Sequence, residues 1–317
     1  MKILANDGIS QSGIAKLEAA GHEVITTNVA QEQLQDYINK NDIAVLLVRS
    51  ATTARKDLID NCPTLKIIGR GGVGMDNIDV AYARDKGLKV INTPAASSAS
   101  VAELVFAHLY GGVRFLYDAN RNMPLEGETN FKGLKKQYAK GTELRGKTLG
   151  IIGIGRIGQE VAKIAAGVGM NVIAHDSYAA SEPVISWELF DGQKIEVKIP
   201  LVEKDELLQN ADFVTLHVPA QDKYVIGKEE LGQMKNGAAL VNAARGGVVD
   251  EVALVEALEN EQISFAALDV FEKEPQPEVV LLMNSKLSLS PHIGAATNEA
   301  QDRIGTELAD QIIQILG

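Results

Sequence analysis

Gly153-Ile154-Gly155-Arg156-Ile157-Gly158 sits where an apolar strand pattern, Thr148 to Ile152, runs into a helical pattern, Ile157 to Val168, and an acid, Asp176, ends the next strand. That order of elements predicts a dinucleotide-binding βαβ unit. Gly153 permits the tight turn, Gly155 lets backbone approach a pyrophosphate, and Gly158 lets the helix pack closely on the strand. The helix start offers free N–H groups to the phosphates. Asp176, 18 positions beyond Gly158, is placed to accept hydrogen bonds from the adenosine ribose diol and to repel the extra phosphate of NADP, so NAD is the expected cofactor. The glycines alone would be weak evidence; strand, helix and distal acid together make the reading specific.

Outward from this stretch, short apolar strands alternate with helix-period segments almost from end to end, the pattern of parallel sheets covered by helices. The expected fold class is therefore α/β, with doubly wound parallel sheets. Before the glycine turn the candidate strands are Lys2 to Ala5, Glu23 to Thr26, Ala44 to Val48, Lys66 to Gly69 and Lys89 to Asn92. From the turn onward they are Leu149 to Ile152, Val172 to His175, Phe213 to His217, Ala239 to Asn242, Phe265 to Val270 and Leu287 to Ser290. A long helical pattern from about Ser97, then a polar, basic stretch from Arg121 to Lys140, joins the two series and reads as a domain crossover. The last helix, Asn298 to Leu316, carries apolar residues at Ile304, Leu308, Ile312 and Ile315. That stripe must be buried, and packing back onto the first domain is the preferred solution. Within the segment from Ser181 to Ile199, Gly192 suggests a hairpin turn.

With 317 residues the chain can form two domains, and its 45% apolar content fits a globular protein. The formal net charge of −11 argues against a nucleic-acid surface, so an anionic substrate has to be captured by local arginines and lysines. Cys62 is the only cysteine, which excludes an internal disulfide and a zinc site built on several thiolates; no metal is expected. No apolar run reaches membrane-spanning length and an acid, Asp7, interrupts the N-terminus early, so a cytoplasmic protein is expected.

Ligands of open α/β sheets bind beyond the carboxyl ends of the strands. Three titratable residues fall there: Arg245 after Ala239 to Asn242, Glu274 after Phe265 to Val270, and His292 after Leu287 to Ser290. A guanidinium at Arg245 can grip a carboxylate with two parallel bonds. Glu274, if it reaches His292, fixes the imidazole, which then takes a hydroxyl proton as hydride leaves the same carbon. The remaining histidines, His22, His108, His175 and His217, read as structural. His217 is the partial exception, because His217-Val218-Pro219 ends a strand of the dinucleotide domain and can line the cofactor through its backbone.

Several stretches carry a resemblance: Val48 to Thr52, Gly69 to Asp79, Asn92-Thr93-Pro94, Gly141 to Gly150, the glycine turn, Ala244 to Glu251 and Pro291 to Ala295. Together they resemble the D-isomer-specific 2-hydroxyacid dehydrogenases over nearly the whole chain. The resemblance implies two Rossmann-like domains, the first discontinuous. Residues 1–97 and 293–317 are expected to form a substrate-side domain and residues 98–292 an NAD-binding domain, with the active site in the cleft and a homodimer built on the cofactor domain. It places the family's catalytic arginine, glutamate and histidine on Arg245, Glu274 and His292. Further cofactor contacts are implied at Val73, Arg156, Ile157, Val218, Ala243, Ala244, Arg245, Asp269, and His292 to Ala295, which includes Gly294. For a phosphate-bearing substrate it points to Arg49, Ser50, Arg70, Gly71, Gly72, Val73, Gly74 and Lys136.

The chain also departs from the family pattern. Asn92-Thr93-Pro94-Ala95-Ala96-Ser97-Ser98 has serines where many relatives carry a Gly-Asn pair, and Val73 and Val218 stand where threonine is frequent. Because the sequence stops at Gly317, no serine-sensing regulatory domain is expected. The competing expectations are an unphosphorylated hydroxy-acid substrate such as hydroxypyruvate or glyoxylate and, from another class, an NADH-sensing corepressor-like binding protein.

Overall fold

Stretches of apolar residues that alternate poorly between faces need cover on both sides, and the structure, a computed structural model that describes residues 1–316, provides it. The chain divides into two compact units, residues 1–100 with 295–317 and residues 101–294. The divisions fall inside a helix and just after Gly294, rather than before Ser98 and after His292. Ser100 Oγ pairs with Thr297 Oγ1 at 2.8 Å in the first unit, whereas the Gly294 N–H is bonded to Asp269 in the second.

In the first unit the order is β1 (Lys2–Ala5), α1 (Gln11–Ala19), β2 (Glu23–Ile25), α2 (Gln31–Asn41), β3 (Ile43–Val48), α3 (Lys56–Asn61), β4 (Ile67–Arg70), α4 (Val80–Asp85) and β5 (Lys89–Asn92). The five strands form one parallel sheet in the order β2-β1-β3-β4-β5. All six residues of β3, at its centre, are buried. The helix α5 (Ser98–Val113) starts in this unit and carries the chain into the second.

In the second unit the expected crossover stretch is itself helical, forming α6 (Leu116–Glu126) and α7 (Phe131–Gln137). Then follow β6 (Thr148–Ile152), α8 (Arg156–Val168), β7 (Asn171–His175), β8 (Val184–Glu188), β9 (Lys194–Lys198), α9 (Lys204–Asn210), β10 (Phe213–Leu216), α10 (Lys228–Gln233), β11 (Ala238–Asn242), α11 (Glu251–Glu259), β12 (Ile263–Leu268), α12 (Val279–Leu282) and β13 (Leu287–Leu289). Six parallel strands lie in the order β13-β12-β11-β10-β6-β7. The strand order reverses between β6 and β10, and such a reversal opens a crevice at the carboxyl ends. The segment 181–199 is the antiparallel hairpin β8-β9, with Gly192 at φ 84° in its turn.

The last helix, α13 (Asn298–Leu316), returns to the first unit. Ile304, Leu308 and Ile312 are buried against Ile3, Val45, Leu47 and Ile67, while Ile315 stays 38% exposed, so the stripe ends one turn early. α13 crosses α1 where two glycines meet: a Cβ on Gly13 would stand 2.8 Å from the Gly305 backbone. Ser12 Oγ donates to Asp302 Oδ1 at 2.6 Å beside this crossing.

Candidate active site

The dinucleotide turn is built by exclusion. Gly153 sits at φ 94°, and a Cβ there would lie 2.7 Å from the carbonyl oxygen of His217, at the end of neighbouring β10. A Cβ on Gly158 would lie 2.2 Å from the Gly153 oxygen, so α8 presses directly on the turn. At Gly155 a Cβ would meet nothing within 4 Å, which leaves backbone open toward whatever approaches. No acidic residue stands in the first turn of α8, so its N-terminal partial positive charge is undiminished. Arg156 is exposed and Ile157 half-buried at this start.

Asp176 follows β7; its Oδ2 accepts from the Ile154 N–H and its Oδ1 from the Tyr178 N–H, both at 2.9 Å. The carboxylate is thus anchored against the glycine turn with lone pairs to spare. A turn closed to side chains at Gly153 and Gly158, an open face at Gly155 and an anchored acid fit NAD. Asp176→Ala is expected to raise kcat/KM with NADP by about tenfold or more relative to NAD, because a fixed negative charge beside the ribose is removed. Paired steady-state assays with the two cofactors check this.

His217 and Val218 follow β10 half-buried, and Pro219 is exposed. The His217 Nε2 lies 3.0 Å from Thr215 Oγ1, its Nδ1 has no partner, and burial pushes the imidazole down to about 3. It is therefore a neutral ring near pH 7, and its carbonyl, not its side chain, borders the turn.

The tips of β11, β12 and β13, adjacent in the sheet, carry Arg245, Glu274 and His292. Asn242 ends β11 and shapes the first tip: its Oδ1 accepts from the Ala244 N–H at 3.1 Å and its Nδ2 donates to the Arg245 oxygen at 2.9 Å. Ala243 and Ala244 are buried, and the Arg245 guanidinium donates to the Ala244 oxygen at 2.6 Å. At the second tip Glu251 and Glu272 accept one another's backbone N–H, at 2.8 and 3.2 Å, tying the loop after β12 to the start of α11. Burial, the largest influence, raises the Glu251 carboxyl above its ordinary range.

Glu274 Oε1 accepts from the Phe271 N–H at 3.0 Å, and its Oε2 lies 2.8 Å from His292 Nδ1. The side chains of His292 and Glu274 remain 40% and 36% exposed, so a reactant can reach the imidazole. His292 has φ 55°, a left-handed conformation that a non-glycine residue adopts only when its surroundings demand it. Asp269, 1% exposed, supplies part of that demand. Its Oδ1 accepts from Ser290 Oγ at 2.6 Å and the Ile293 N–H at 2.8 Å, and its Oδ2 from the Gly294 N–H at 2.8 Å. The carboxylate named above as a cofactor contact thus anchors the histidine loop.

The candidate substrate residues divide. Arg49 and Ser50 follow β3 in the first unit. Asp7 Oδ2 accepts from the Arg49 and Thr52 N–H groups at 2.6 and 3.1 Å, and Asn77 Nδ2 donates to the Arg49 oxygen at 2.8 Å, so that loop is fixed. Arg70 ends β4, and its guanidinium lies over Gly72, 2.1 Å from where a Cβ would be. Gly71 and Gly74 are half-buried, Val73 is exposed with its oxygen bonded by Asn92 Nδ2 at 2.7 Å, and the Ala295 oxygen accepts from Gln301 Nε2 at 2.7 Å. Lys136 is on α7 in the second unit. Its neighbours Gln137, Tyr138 and Lys140 line a cavity of about 590 Å³ with Lys147, Asp212 and Ala238, residues at the strand starts. The structure therefore does not bring Lys136 to Arg245, Glu274 and His292, which lie at the opposite edge of the sheet.

Asp7, Asn77, Asn242, Ser290 and the Glu251/Glu272 pair carry no assignment from the sequence. Only Asn242 has a legible signal, the Asn-Ala-Ala-Arg spacing of a side-chain-closed turn.

The chain is similar to several known proteins. The D-3-phosphoglycerate dehydrogenase of Methanocaldococcus jannaschii is 43% identical over 318 residues, covering 100% of this chain and 57% of the relative, so the chain spans little more than half the length of that protein. The hydroxypyruvate reductase of Thermotoga maritima is 42% identical over 302 residues, covering 93% of this chain and 91% of that enzyme. Among solved structures, the TT0316 protein of Thermus thermophilus superposes with a TM-score of 0.87 at 29% identity, covering 100% of this chain and 97% of the other. Residues 106–294, which contain the glycine turn and all three strand tips, match the family model described as D-isomer specific 2-hydroxyacid dehydrogenase, NAD binding domain. The glycine turn, the anchored acid and the bonded Glu274/His292 pair all lie inside that match, and the chain belongs to the D-isomer specific 2-hydroxyacid dehydrogenase family.

Proposed function

We propose that this chain catalyses the NAD-dependent oxidation of 3-phospho-D-glycerate to 3-phosphohydroxypyruvate, the entry step to serine. The observation that carries the chemistry is the 2.8 Å contact between Glu274 Oε2 and His292 Nδ1. With Nδ1–H donated to the carboxylate, the ring presents an unprotonated Nε2 as the base. That Nε2 takes the hydroxyl proton while the alcohol carbon becomes a ketone, and Glu274 stabilises the imidazolium that results. NAD, when bound, supplies the hydride acceptor. Arg245 holds the substrate carboxylate; Arg49 and Arg70 are the sequence's candidates for a phosphate. The name of the M. jannaschii relative supports the phosphorylated substrate.

A second reading, reduction of hydroxypyruvate or glyoxylate by the same groups, is favoured by the 91% coverage of the T. maritima enzyme. Comparing kcat/KM for hydroxypyruvate and its phosphorylated form tests the choice. The phosphorylated compound is expected to be preferred by on the order of a hundredfold, the scale of losing charge-assisted bonds. Arg70→Ala should erase most of that preference. Equal use of both compounds by the unmodified enzyme would exclude the phosphate reading.

The second partner is another copy of this chain. α6 buries none of its residues, and Leu116, Met123, Leu125 and, on α7, Phe131 are 42–80% exposed. Several exposed apolar side chains of this size on neighbouring helices support self-association through this segment. Light scattering is expected to give twice the 34.0 kDa chain mass. The double variant Leu116→Glu, Leu125→Glu should run as a monomer with its far-UV circular dichroism unchanged.

A further inference from the structure

His108, on α5, is 7% exposed, and the reading above gives it no role. Both of its ring nitrogens are bonded: Nδ1 lies 2.8 Å from Ser288 Oγ and Nε2 lies 2.9 Å from Ser290 Oγ. Ser290 Oγ lies in turn 2.6 Å from Asp269 Oδ1, the carboxylate that holds the amides of Ile293 and Gly294. Ser288, Ser290 and Asp269 are all buried.

The inventory of donors fixes every proton in this chain of groups. A carboxylate only accepts, so the single hydroxyl hydrogen of Ser290 points to Asp269. Ser290 Oγ can then only accept from His108, whose Nε2 must carry the hydrogen. In a neutral imidazole Nδ1 is then bare, and it accepts from the Ser288 hydroxyl. Burial, the largest influence, lowers the affinity of His108 for a second proton, in keeping with the neutral ring. The donors therefore run in one direction, from Ser288 through His108 and Ser290 to Asp269, and end on the one negative charge. That charge grips the two amides immediately after His292.

His292 needs such support. Its side chain is 40% exposed, so packing does not orient it, and its φ of 55° is not a conformation it would choose unaided. We propose that His108 is a positioning residue for the reaction: through Ser290 and Asp269 it locks the Ser290–Gly294 loop and so keeps His292 aimed at Glu274. The proposal rests on the reading of His292 as the proton-transfer group.

Two substitutions separate this role from ordinary core filling. His108→Leu keeps apolar volume but removes the donor and the acceptor. His108→Gln can still donate to Ser290 and accept from Ser288. The full-length enzyme is assayed for kcat, KM, NADH affinity by fluorescence, and thermal midpoint. In addition, the His292 Nδ1–H proton is followed by NMR, assigned by its absence in His292→Ala. His108→Leu is expected to lower kcat on the order of ten- to a hundredfold, the scale of misplacing a catalytic group by an ångström or less, with KM and NADH affinity changed by about twofold at most. The His292 proton signal should be lost to solvent exchange in that variant. His108→Gln should restore both kcat and the signal.

Unchanged kcat and an unchanged signal in His108→Leu would overturn the proposal. So would a Gln variant as impaired as the Leu variant with an equally lowered thermal midpoint, because that is the behaviour of a packing residue. Should the unmodified enzyme oxidise no hydroxy acid, the functional reading fails. The dependence of the His292 signal on residue 108 would still decide the positioning claim.

Discussion

His292→Ala is expected to lower turnover by on the order of a hundred- to ten-thousandfold while leaving NADH affinity close to that of the unmodified enzyme. The imidazole is the group at the three strand tips with a ring nitrogen that can accept and return a proton; the Arg245 guanidinium only donates, and Glu274 is committed to Phe271 and the ring. Glu274→Gln sharpens the test. Gln can still accept from the Phe271 N–H, but its amide hydrogens would then face Nδ1 and favour the tautomer with the proton on Nε2. That tautomer cannot accept a hydroxyl proton, so oxidation should fall steeply although the ring is still held. Single-turnover NADH formation, read beside NADH binding by fluorescence, checks both variants. Near-normal oxidation by His292→Ala would remove the histidine from the mechanism.

Gly158→Ala is expected to cost NAD affinity by roughly ten- to a hundredfold, the equivalent of the 1–3 kcal/mol typical of overpacking. The new methyl would stand 2.2 Å from the Gly153 oxygen, which is backbone and cannot rotate aside. Gly153 has no slack either, with the His217 oxygen 2.7 Å from its own open position. The turn must therefore open, and some thermal stability goes with it. Gly155→Ala is the informative control, since nothing lies within 4 Å of that position. Its affinity loss should come with an unchanged thermal midpoint, because the methyl meets only the incoming pyrophosphate. Titration calorimetry and thermal scans on both variants make the comparison. Normal NAD binding by Gly155→Ala would mean that the cofactor does not lie where the turn implies.

Much of this arrangement is legible in the chain itself. Strands such as Lys2–Ala5 and Lys89–Asn92 are bounded by sharp changes in polarity, and pattern and structure agree there to the residue. The three strand tips follow from counting strands, because a parallel sheet sends every carboxyl end to the same edge. The apolar pattern overruns the strand ends by one or two residues at His217, Val270 and Ser290. There it continues into loops that the protein buries by other means: Asp269 and Ser290 are enclosed and bonded to one another, so burial outlasts the ladder. The braces are not legible. His108, 180 positions from Ser288, and Asp7, 42 positions from Arg49, meet their partners only through the fold, and no local spacing announces such pairs. Lys136 misleads for the reverse reason: its basic surroundings suit an anion, but α7 carries it away from the reactive edge.

The crossing of α1 and α13 has a consequence for biosynthesis. One face of the first sheet, with Ile3, Val45, Leu47 and Ile67, is completed by Ile304, Leu308 and Ile312, which are translated only after residues 101–294 have emerged. The N-terminal hundred residues leave the ribosome with a bare oily flank, while the nucleotide-binding half, continuous in sequence, can mature in between. Nascent chains arrested before residue 298 should accordingly be captured by chaperones and cut by protease within their first hundred residues, and release of the closing segment should end both vulnerabilities at once.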